Sequence, residues 1–285
     1  MILLVGATGK VGSKVAARLA AHGTRARALV RDPDAARATL DGAADLIRGD
    51  LANVASIAAA LEGVEVAYLA NGQTDRQVEL ETNFLAAAEA AGLPRLVKVT
   101  APHARPDGPH VFGRWQSQIE ARVTESGIPT TLLRPNMYMA NLLGSAGGIR
   151  DGKLYSTAAD GALAWVDPAD IADVAVAAIG DPAHAGKTYD VTGPEVIGYD
   201  DLAERFSRVL GRPVEHVRID DDTFRLALTE AGLPAWTVDA FVEMYARGVR
   251  GGHFEQTSDD VERVLGRPSR SIDEWIEANR AAFQA

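Results

Sequence analysis

The chain has 285 residues, of which 47% are apolar, and a formal net charge of −10. That length suits one large α/β domain or a cofactor-binding domain with a smaller lobe. Cysteine is absent, which excludes disulfides, thiolate metal sites and a cysteine nucleophile. The acidic balance, without a Lys/Arg run, argues against direct nucleic-acid binding. No apolar run is long enough to cross a bilayer, and no basic segment precedes an apolar one, so we expect a cytoplasmic protein.

The first strand and helix enclose the most informative motif of the chain. The aliphatic run Ile2–Val5 predicts a central parallel strand, and apolar residues at helical spacing predict a helix over residues 10–23. In the turn between them, Gly6 permits a tight bend, Gly9 lets backbone N–H groups approach a phosphate, and Gly12 lets the helix lie against the strand. The alternative is an ordinary glycine-rich turn. We expect a dinucleotide pyrophosphate to bind Gly6, Ala7, Thr8, Gly9, Lys10, Val11 and Gly12.

The end of the second predicted strand, residues 25–30, indicates which dinucleotide binds. Asp32 follows it at a position suited to cap a helix that begins at Pro33. Arg31 stands where an NAD-binding domain usually has an acidic residue for the ribose 2′-hydroxyl. Because an arginine there can pair with a 2′-phosphate, NADP(H) is the expected cofactor. The alternative is a solvated arginine at a strand end.

The third and fourth predicted strands, residues 44–48 and 64–69, lead to further candidate cofactor residues. Ligands lie beyond the carboxyl ends of strands in open α/β sheets, so we expect Asp50 and Leu51 to hold the adenine ring. Asp50 is equally suited to cap the helix that follows. Small residues after the fourth strand would let the nicotinamide ribose pass closely, and these are Ala70, Asn71 and Gly72.

The fifth predicted strand, residues 96–99, leads to the part of the chain where chemistry is expected. Thr100 and Ala101 end it and are assigned to the cofactor. After a loop rich in Pro, His and Gly, a helix is predicted over Val111–Ser126. Residues spaced four apart on one face of that helix are Phe112, Gln116 and Glu120.

Five short motifs along the chain carry a resemblance. They are Gly6-Ala7-Thr8-Gly9-Lys10-Val11-Gly12, Leu29-Val30-Arg31-Asp32-Pro33, Gly49-Asp50-Leu51, Leu133-Arg134-Pro135-Asn136 and Thr257-Ser258-Asp259-Asp260. Together they resemble the atypical short-chain dehydrogenase/reductases, and more narrowly the NmrA-like branch with its quinone oxidoreductases and triphenylmethane-dye reductases. The resemblance covers nearly the whole chain. Its motifs are specific for fold and cofactor and are poor guides to substrate.

The predicted helix Val111–Ser126 departs from the broader superfamily. A typical member has a Tyr and a Lys four residues apart on this helix, and the Tyr protonates the carbonyl oxygen as hydride arrives. Aligned on Glu120, those positions are Phe112 and Gln116, so the dyad is absent. Gln116 also departs from the Lys or His common in the NmrA-like branch, although an amide can still hydrogen-bond a ribose hydroxyl. We therefore expect neither ordinary ketone reduction nor sugar epimerisation.

A sixth predicted strand, residues 130–133, ends in a turn that the resemblance places opposite the nicotinamide. Pro135, Asn136 and Met137 are assigned to the cofactor, and Tyr138 joins Gln116 in the catalytic set, since an aromatic wall suits a flat acceptor. Plain core packing is the alternative for Met137 and Tyr138. The glycine-rich residues 144–152 are expected to mark the exit into the second lobe.

The predicted fold class is α/β: a Rossmann, doubly wound, mostly parallel sheet with a small, mostly helical C-terminal substrate lobe. The NAD(P)-binding domain is expected over residues 1–150 with a return segment over 163–192, and the lobe over 193–285. The expected function is NADPH-dependent hydride transfer to a quinone-like or other conjugated small molecule, with no metal. The alternative is a non-catalytic NADP(H) redox sensor that acts through a protein partner. A homodimer is left open.

Overall fold

The computed structural model describes residues 1–284, which divide into two compact units. Unit 1 comprises Met1–Pro106, Trp115–Arg134 and Pro168–Asp190. Unit 2 comprises Asp107–Arg114, Pro135–Asp167 and the described residues from Val191 onward. This division differs from the predicted one in that residues 135–167 belong to unit 2, because strands within them pair with strands from later in the chain.

Eleven strands form three sheets among the described residues. They are β1 (Ile2–Val5), β2 (Ala26–Val30), β3 (Asp45–Arg48), β4 (Val66–Leu69), β5 (Arg95–Val99), β6 (Thr130–Pro135), β7 (Lys153–Ser156), β8 (Ala162–Leu163), β9 (Thr188–Val191), β10 (Ile197–Gly198) and β11 (Glu215–Arg218). The main sheet has seven strands in the order β3-β2-β1-β4-β5-β6-β9, and the pairings from β3 through β6 are all parallel. Two short sheets, β8 with β10 and β7 with β11, lie in unit 2.

The helices alternate with the strands through unit 1 and dominate unit 2. They are α1 (Gly12–Ala21), α2 (Pro33–Leu40), α3 (Val54–Leu61), α4 (Gln77–Ala90), α5 (Val111–Ser126), α6 (Ala146–Arg150), α7 (Pro168–Gly180), α8 (Tyr199–Leu210), α9 (Asp221–Glu230), α10 (Ala235–Glu243), α11 (Asp260–Leu265), α12 (Ile272–Ala278) and α13 (Arg280–Phe283). This is the predicted Rossmann-type arrangement, with the return segment Thr188–Val191 joining the sheet beside β6 as expected.

The strand order reverses direction at β1. From β1 the chain adds β2 and then β3 on one side, whereas β4, β5 and β6 follow on the other side. Ligands of open α/β sheets bind at such a switch point, beyond the carboxyl ends of the strands. Val5 pairs with both Leu29 and Leu69, so β1, β2 and β4 end level with one another. The residues directly after these three strands therefore share one edge of the sheet.

The core of unit 1 explains why these strands are aliphatic runs. All residues of β1 and β4 are buried, as expected for central strands that are covered on both faces. Side chains from the strands and from α3, α4 and α5 form one apolar cluster, whose largest fully buried members are Leu3, Ile57, Leu69, Phe84, Leu85 and Leu96. This packing makes the carboxyl edge of the sheet a rigid support.

Unit 2 contains most of the differences from prediction. The glycine-rich residues 144–152, expected as an exit loop, are largely helical: a 3₁₀ segment, Met139–Ser145, runs directly into α6. The apolar residues of this stretch bury one side at helical spacing, namely Met139, Leu142, Ala146 and Ile149.

Two elements of unit 2 are short. Strand β8 ends at Leu163, and Val166 forms an isolated bridge with Tyr138. Helices α12 and α13 are separated at Asn279, whose side-chain amide donates to the Trp275 carbonyl (2.8 Å) and so competes with the helical backbone.

Candidate cofactor site

The glycine turn after β1 is shaped by backbone contacts at two of its three glycines. Gly6 has a φ of +82°, and a Cβ there would collide with the Ala70 carbonyl. A Cβ on Gly12 would collide with the Gly6 carbonyl. A Cβ on Gly9 would lie 3.3 Å from the Gly6 oxygen, which is a tight contact but not a collision. The protein itself therefore requires glycine at positions 6 and 12, whereas a side chain at position 9 would need only a small shift of its neighbour.

Helix α1 begins at Gly12, two residues later than predicted. Gly9 is still part of the turn, since its N–H donates to the Gly6 carbonyl (3.1 Å), and its own carbonyl accepts a bond of α-helical spacing from Ser13 N–H (3.1 Å). The first N–H groups of any helix lack acceptors within it, and they attract anions. Of the remaining turn residues, Thr8 and Lys10 are exposed while Ala7 and Val11 are buried.

Arg31 lies immediately beyond β2, one strand away from the glycine turn. Its side chain is exposed and forms no hydrogen bond or ion pair within residues 1–284. The adjacent Asp32 is engaged with the protein, because its carboxylate accepts from Asp34 N–H (3.0 Å) and Ala35 N–H (3.2 Å) as the cap of α2. The predicted cap and the predicted start of this helix at Pro33 are confirmed.

Asp50 and Leu51 occupy the turn after β3 and have different environments. Asp50 is exposed and accepts from Ala52 N–H (2.8 Å), while Asn53 caps α3 through Ser56 N–H (3.3 Å). The helix cap proposed as an alternative role for Asp50 therefore belongs to Asn53. Leu51 is buried in the apolar cluster of unit 1, and its carbonyl accepts from the side-chain amide of Asn83 (3.1 Å).

The residues after β4 include an unsatisfied donor. Ala70 donates its N–H to the Val5 carbonyl (3.1 Å), which extends the ladder with β1 to the edge of the sheet. The Nδ2 atom of Asn71 is buried and forms no hydrogen bond within the described chain. Gly72 is exposed and faces open space. A buried amide without a partner is costly, so Asn71 Nδ2 is suited to an acceptor from a ligand.

Thr100 and Ala101 follow β5, and Thr100 is held by two neighbours. Its N–H donates to the Leu133 carbonyl (2.8 Å), and its hydroxyl donates to Glu120 Oε1 (2.7 Å). Glu120 in turn accepts from the Arg134 guanidinium (3.1 Å), and this hydrogen bond raises the pKa of Arg134. Ala101 is half-buried. Glu120 thus fixes the edge of the sheet and leaves the Thr100 hydroxyl oxygen able to accept a further hydrogen bond.

Gln116 belongs to a buried polar cluster that we call the Lys98 cluster, made of Gln77, Glu81, Lys98 and Gln116. Lys98 Nζ lies 2.9 Å from Glu81 Oε2 and 3.1 Å from Gln116 Oε1, and it also donates to the Val99 carbonyl. Glu81 Oε1 accepts from Gln77 Nε2 (3.0 Å). The side chains of Lys98 and Glu81 are 0% exposed, so this is a fully desolvated ion pair.

Sequence reasoning missed Lys98 and Glu81. Lys98 stands between Val97 and Val99 in β5, and a lysine in a central strand with both faces covered requires a buried partner. That conflict between residue type and strand environment was the available signal. The identity of the partner was not readable from the sequence, because Glu81 lies on α4 with two other glutamates.

The residues assigned to the turn after β6 belong to unit 2, except that Pro135 also ends the strand. Asn136 is buried and donates from Nδ2 to the Phe254 carbonyl (3.1 Å), while its Oδ1 accepts from Met137 N–H (2.7 Å). Met137 is also buried. Tyr138 is half-buried, and desolvation raises the pKa of its phenol, so the phenol stays neutral at physiological pH.

The first turn of α5 also belongs to unit 2 and is anchored there. Phe112 is buried, and its ring meets the edge of Phe241 with the centroids 5.8 Å apart. Glu243 accepts from Val111 N–H (2.9 Å) and from the Arg114 guanidinium (2.9 Å). Position 112 is therefore an apolar packing position that offers no proton.

The groups at the sheet edge of unit 1 fit a phosphorylated dinucleotide. The glycine turn leads into the N-terminus of α1, Arg31 has no partner within residues 1–284, and Asn71 has an unsatisfied donor. These groups offer N–H donors and a cation, which suits an anionic ligand rich in acceptors. Within residues 1–284, no three His, Asp or Glu side chains are grouped so that they could hold a metal ion. Likewise, no helix in that range is long and apolar enough to span a bilayer.

Comparison with known proteins extends over the whole chain. The chain is 36% identical to an NAD(P)H azoreductase from Xenophilus azovorans over 286 aligned residues, covering 100% of both chains. It is 37% identical to a (4-alkanoyl-5-oxo-2,5-dihydrofuran-3-yl)methyl phosphate reductase from Streptomyces griseus, covering 99% of each. Its fold is similar to the crystal structure of an NADPH-dependent quinone oxidoreductase from Escherichia coli complexed with NADPH, with a TM-score of 0.88, 27% identity and coverage of 98% and 100%. The family model described as the NmrA-like family matches residues 1–276, and the chain belongs to that family.

Proposed function

We propose that this protein is an NADPH-dependent oxidoreductase that transfers hydride to quinones, azo compounds or other conjugated acceptors. The observation that carries the acceptor class is on α5, where Phe112 is packed against Phe241 and Gln116 is an amide. Neither side chain is a proton donor of the kind that ketone reduction requires. Similarity to an azoreductase and to a quinone oxidoreductase supports the same acceptor class.

NADPH is held at the carboxyl edge of the sheet in unit 1. The turn from Gly6 to Gly12 and the N-terminus of α1 bind the pyrophosphate, and Arg31 pairs with the 2′-phosphate. Asp50 and Leu51 contact the adenine. The nicotinamide ribose and ring are positioned by the residues that follow β4 and β5 and by the α5 amide: Ala70, Asn71, Gly72, Thr100, Ala101 and Gln116.

The proposed acceptors explain how the reaction proceeds without a dyad. Bound NADPH supplies a hydride, and the product needs one proton in addition. An isolated ketone would yield a strongly basic alkoxide, whereas a quinone spreads the incoming charge over its ring. Water can protonate such a weak base. The protein then contributes orientation, with Gln116 as a donor toward the cofactor and with Tyr138 as a neutral aromatic wall beside Pro135, Asn136 and Met137.

An NADPH-oxidation assay with menadione, an azo dye and cyclohexanone tests this function. We expect menadione and the dye to be reduced and cyclohexanone to be left unreacted. Gln116→Met is expected to raise KM for NADPH, whereas the matched substitution Gln118→Met, at an exposed position of the same helix, should not. Reduction of cyclohexanone by the unmodified protein would contradict the proposal.

If NADPH binds and none of the three compounds is reduced, the assay favours the alternative function, a redox sensor. In that case the protein would report the NADP(H) ratio to a protein partner. Cytoplasmic location and homodimer formation stay predictions from the sequence.

A further inference from the structure

We propose that Lys98 is a positioning residue for the cofactor, acting through Gln116. Its ammonium, neutralised by Glu81, holds the Gln116 amide so that Nε2 is directed away from Lys98 as a donor toward the nicotinamide half of NADPH. This inference rests on the proposed function in taking NADPH as the ligand. The cation that a typical superfamily member carries on the helix is here supplied from strand β5, one hydrogen bond behind the amide.

The ammonium of Lys98 is engaged with the protein and is closed to a ligand. It donates to Gln116 Oε1 (3.1 Å) and to the Val99 carbonyl, and it forms an ion pair with Glu81 Oε2 at 2.9 Å. The side chain is also 0% exposed, so any effect of its charge on a bound molecule must pass through a neighbour. Gln116 is the neighbour that has an unused donor, because its amide nitrogen can donate and the carboxylate of Glu81 and the carbonyl of Val99 can only accept.

The chemistry of Lys98 fixes which way the Gln116 amide faces. Because the ammonium can only donate, the amide oxygen must face it and the nitrogen must face the opposite way. The Gln116 side chain is 5% exposed, and Nε2 has no acceptor among the described residues although it is not one of the fully buried atoms without a partner. Nε2 is therefore an accessible donor, and the acceptor that we propose for it is a ribose hydroxyl or the carboxamide oxygen of nicotinamide.

A purely structural role accounts poorly for the Glu81–Lys98 pair. A buried ion pair is costly to desolvate, and apolar residues of similar volume are often equally stable or more stable. Gln77 adds a further hydrogen bond that keeps Glu81 in place (3.0 Å). Within a low-dielectric interior, the ammonium polarises the amide that it contacts and strengthens the N–H on the far side as a donor.

The decisive experiment compares two ligands on a charge-neutral variant, Glu81→Gln/Lys98→Met, by isothermal titration calorimetry. NADP⁺ contains the nicotinamide riboside, whereas 2′,5′-ADP contains the adenine and the 2′-phosphate without it. We expect the Kd for NADP⁺ to rise roughly tenfold, as for loss of a charge-assisted hydrogen bond, and the Kd for 2′,5′-ADP to stay unchanged. The control Glu89→Gln/Arg122→Met removes another ion pair between α4 and α5 and should change neither value.

Equal weakening of both ligands in the charge-neutral variant, or no weakening of either, would overturn the inference. If that variant does not fold, single substitutions at position 116 decide. Gln116→Lys places a second ammonium beside Lys98 and should bind NADP⁺ more weakly than Gln116→Met, and the reverse order would contradict the proposal. The titrations contain no substrate that could take up hydride, so their results do not depend on which substrate the protein reduces. Binding of NADP⁺ to the unmodified protein tests the proposed cofactor separately.

Discussion

Two buried polar clusters, one in each unit, use residue types common in active sites, but only one has a hydrogen-bonding group to spare. In unit 2, His216 Nε2 lies 2.9 Å from Ser156 Oγ, and His216 Nδ1 lies 2.6 Å from Asp200 Oδ1. This is the connectivity of a Ser-His-Asp triad. Its exposure is inverted, however, since Ser156 is buried and the Asp200 side chain is 64% exposed. Acyl transfer requires a substrate to reach the serine, and the buried Ser156 does not allow this. We therefore interpret the cluster as structural, since it links strands β7 and β11 to α8.

The Lys98 cluster of unit 1 ends in an amide nitrogen that has no acceptor within residues 1–284. The side chains of Arg31 and Asn71 likewise have donors without an acceptor in that range. The comparison shows that residue types and distances do not identify a site by themselves. A group suited to binding has a donor or acceptor that the folded chain does not pair. A structural group has donors and acceptors that are already paired within the fold.

The largest effect is expected from a comparison of Gly12 and Gly9, because a Cβ would collide with the backbone at Gly12 and would not at Gly9. Gly12→Ala forces a Cβ into the Gly6 carbonyl, so it should lower the free energy of unfolding by about 3 kcal/mol. Gly9→Ala meets the same oxygen at 3.3 Å without a collision, so it should lower stability by only about 1 kcal/mol, yet weaken NADPH binding, because a methyl group hinders the close approach of a phosphate to the turn. Urea denaturation and NADPH titration of both variants check this. Equal free energies of unfolding for the two variants would contradict the claim that the fold requires glycine at position 12 but not at position 9.

The next largest effect is expected at Arg31. Arg31→Glu removes the cation proposed to pair with the 2′-phosphate, so NADPH binding should weaken by about 2 kcal/mol, with a much smaller change for NADH. Fluorescence titration with both cofactors measures the difference. Arg37→Glu, on the following helix and paired with Asp34, is the control expected to leave both affinities unchanged. Equal losses for NADPH and NADH in Arg31→Glu would remove Arg31 from the set of binding groups.

A smaller effect is expected from Ser156→Ala in the closed cluster. The substitution leaves His216 Nε2 without its partner, so the free energy of unfolding should fall by about 1 kcal/mol. Menadione reduction should not change, and neither protein should hydrolyse a nitrophenyl ester. If the unmodified protein hydrolysed the ester and Ser156→Ala did not, Ser156 would be catalytic despite its burial, and the structural interpretation of this cluster would be wrong.

The smallest effect is expected from Asp221 at the start of α9, a carboxylate that is already paired within the fold. Asp221 accepts from the Arg250 guanidinium (2.7 and 2.8 Å), which lowers the pKa of its carboxyl from 3.8 to about 2. The stability from this pair is therefore present above about pH 4 and is lost as pH falls toward 2. Since the Asp221 carboxylate is partly exposed, the contribution is less than about 1 kcal/mol. Asp221→Asn should flatten the acid limb of stability, measured by thermal unfolding, without changing NADPH binding.

Unit 1 was predictable because each local signal agreed with the global fold. The aliphatic run Ile2–Val5 and the amphipathic helix Val111–Ser126 lie where the sequence predicts them, and the glycine turn lies at the switch point between β1 and β4. Buried parallel strands and capped helices depend on short-range patterns. The Asp32 cap of α2 is of that kind.

The remainder depended on contacts that no short window contains. The glycines between Met139 and Arg150 suggested a loop, but burial of one side of this segment keeps it helical. Glu81 meets Lys98 through the packing of α4 against β5, so neither residue indicates the other. The inverted exposure of Ser156 and Asp200 is likewise a property of the folded unit alone.

The measurement that tests the central claim most directly is a single turnover under anaerobic conditions, in which the protein–NADPH complex is mixed with menadione and NADPH absorbance is followed. The account predicts one NADPH consumed per menadione reduced, at a rate that shows no ionisation of a side chain at position 112 or 116. It also predicts slower NADPH oxidation when the reactive hydrogen of NADPH is replaced by deuterium, because the bond to that hydrogen breaks in the transfer. An NADPH complex that stays unoxidised in the presence of menadione and the azo dye would contradict it.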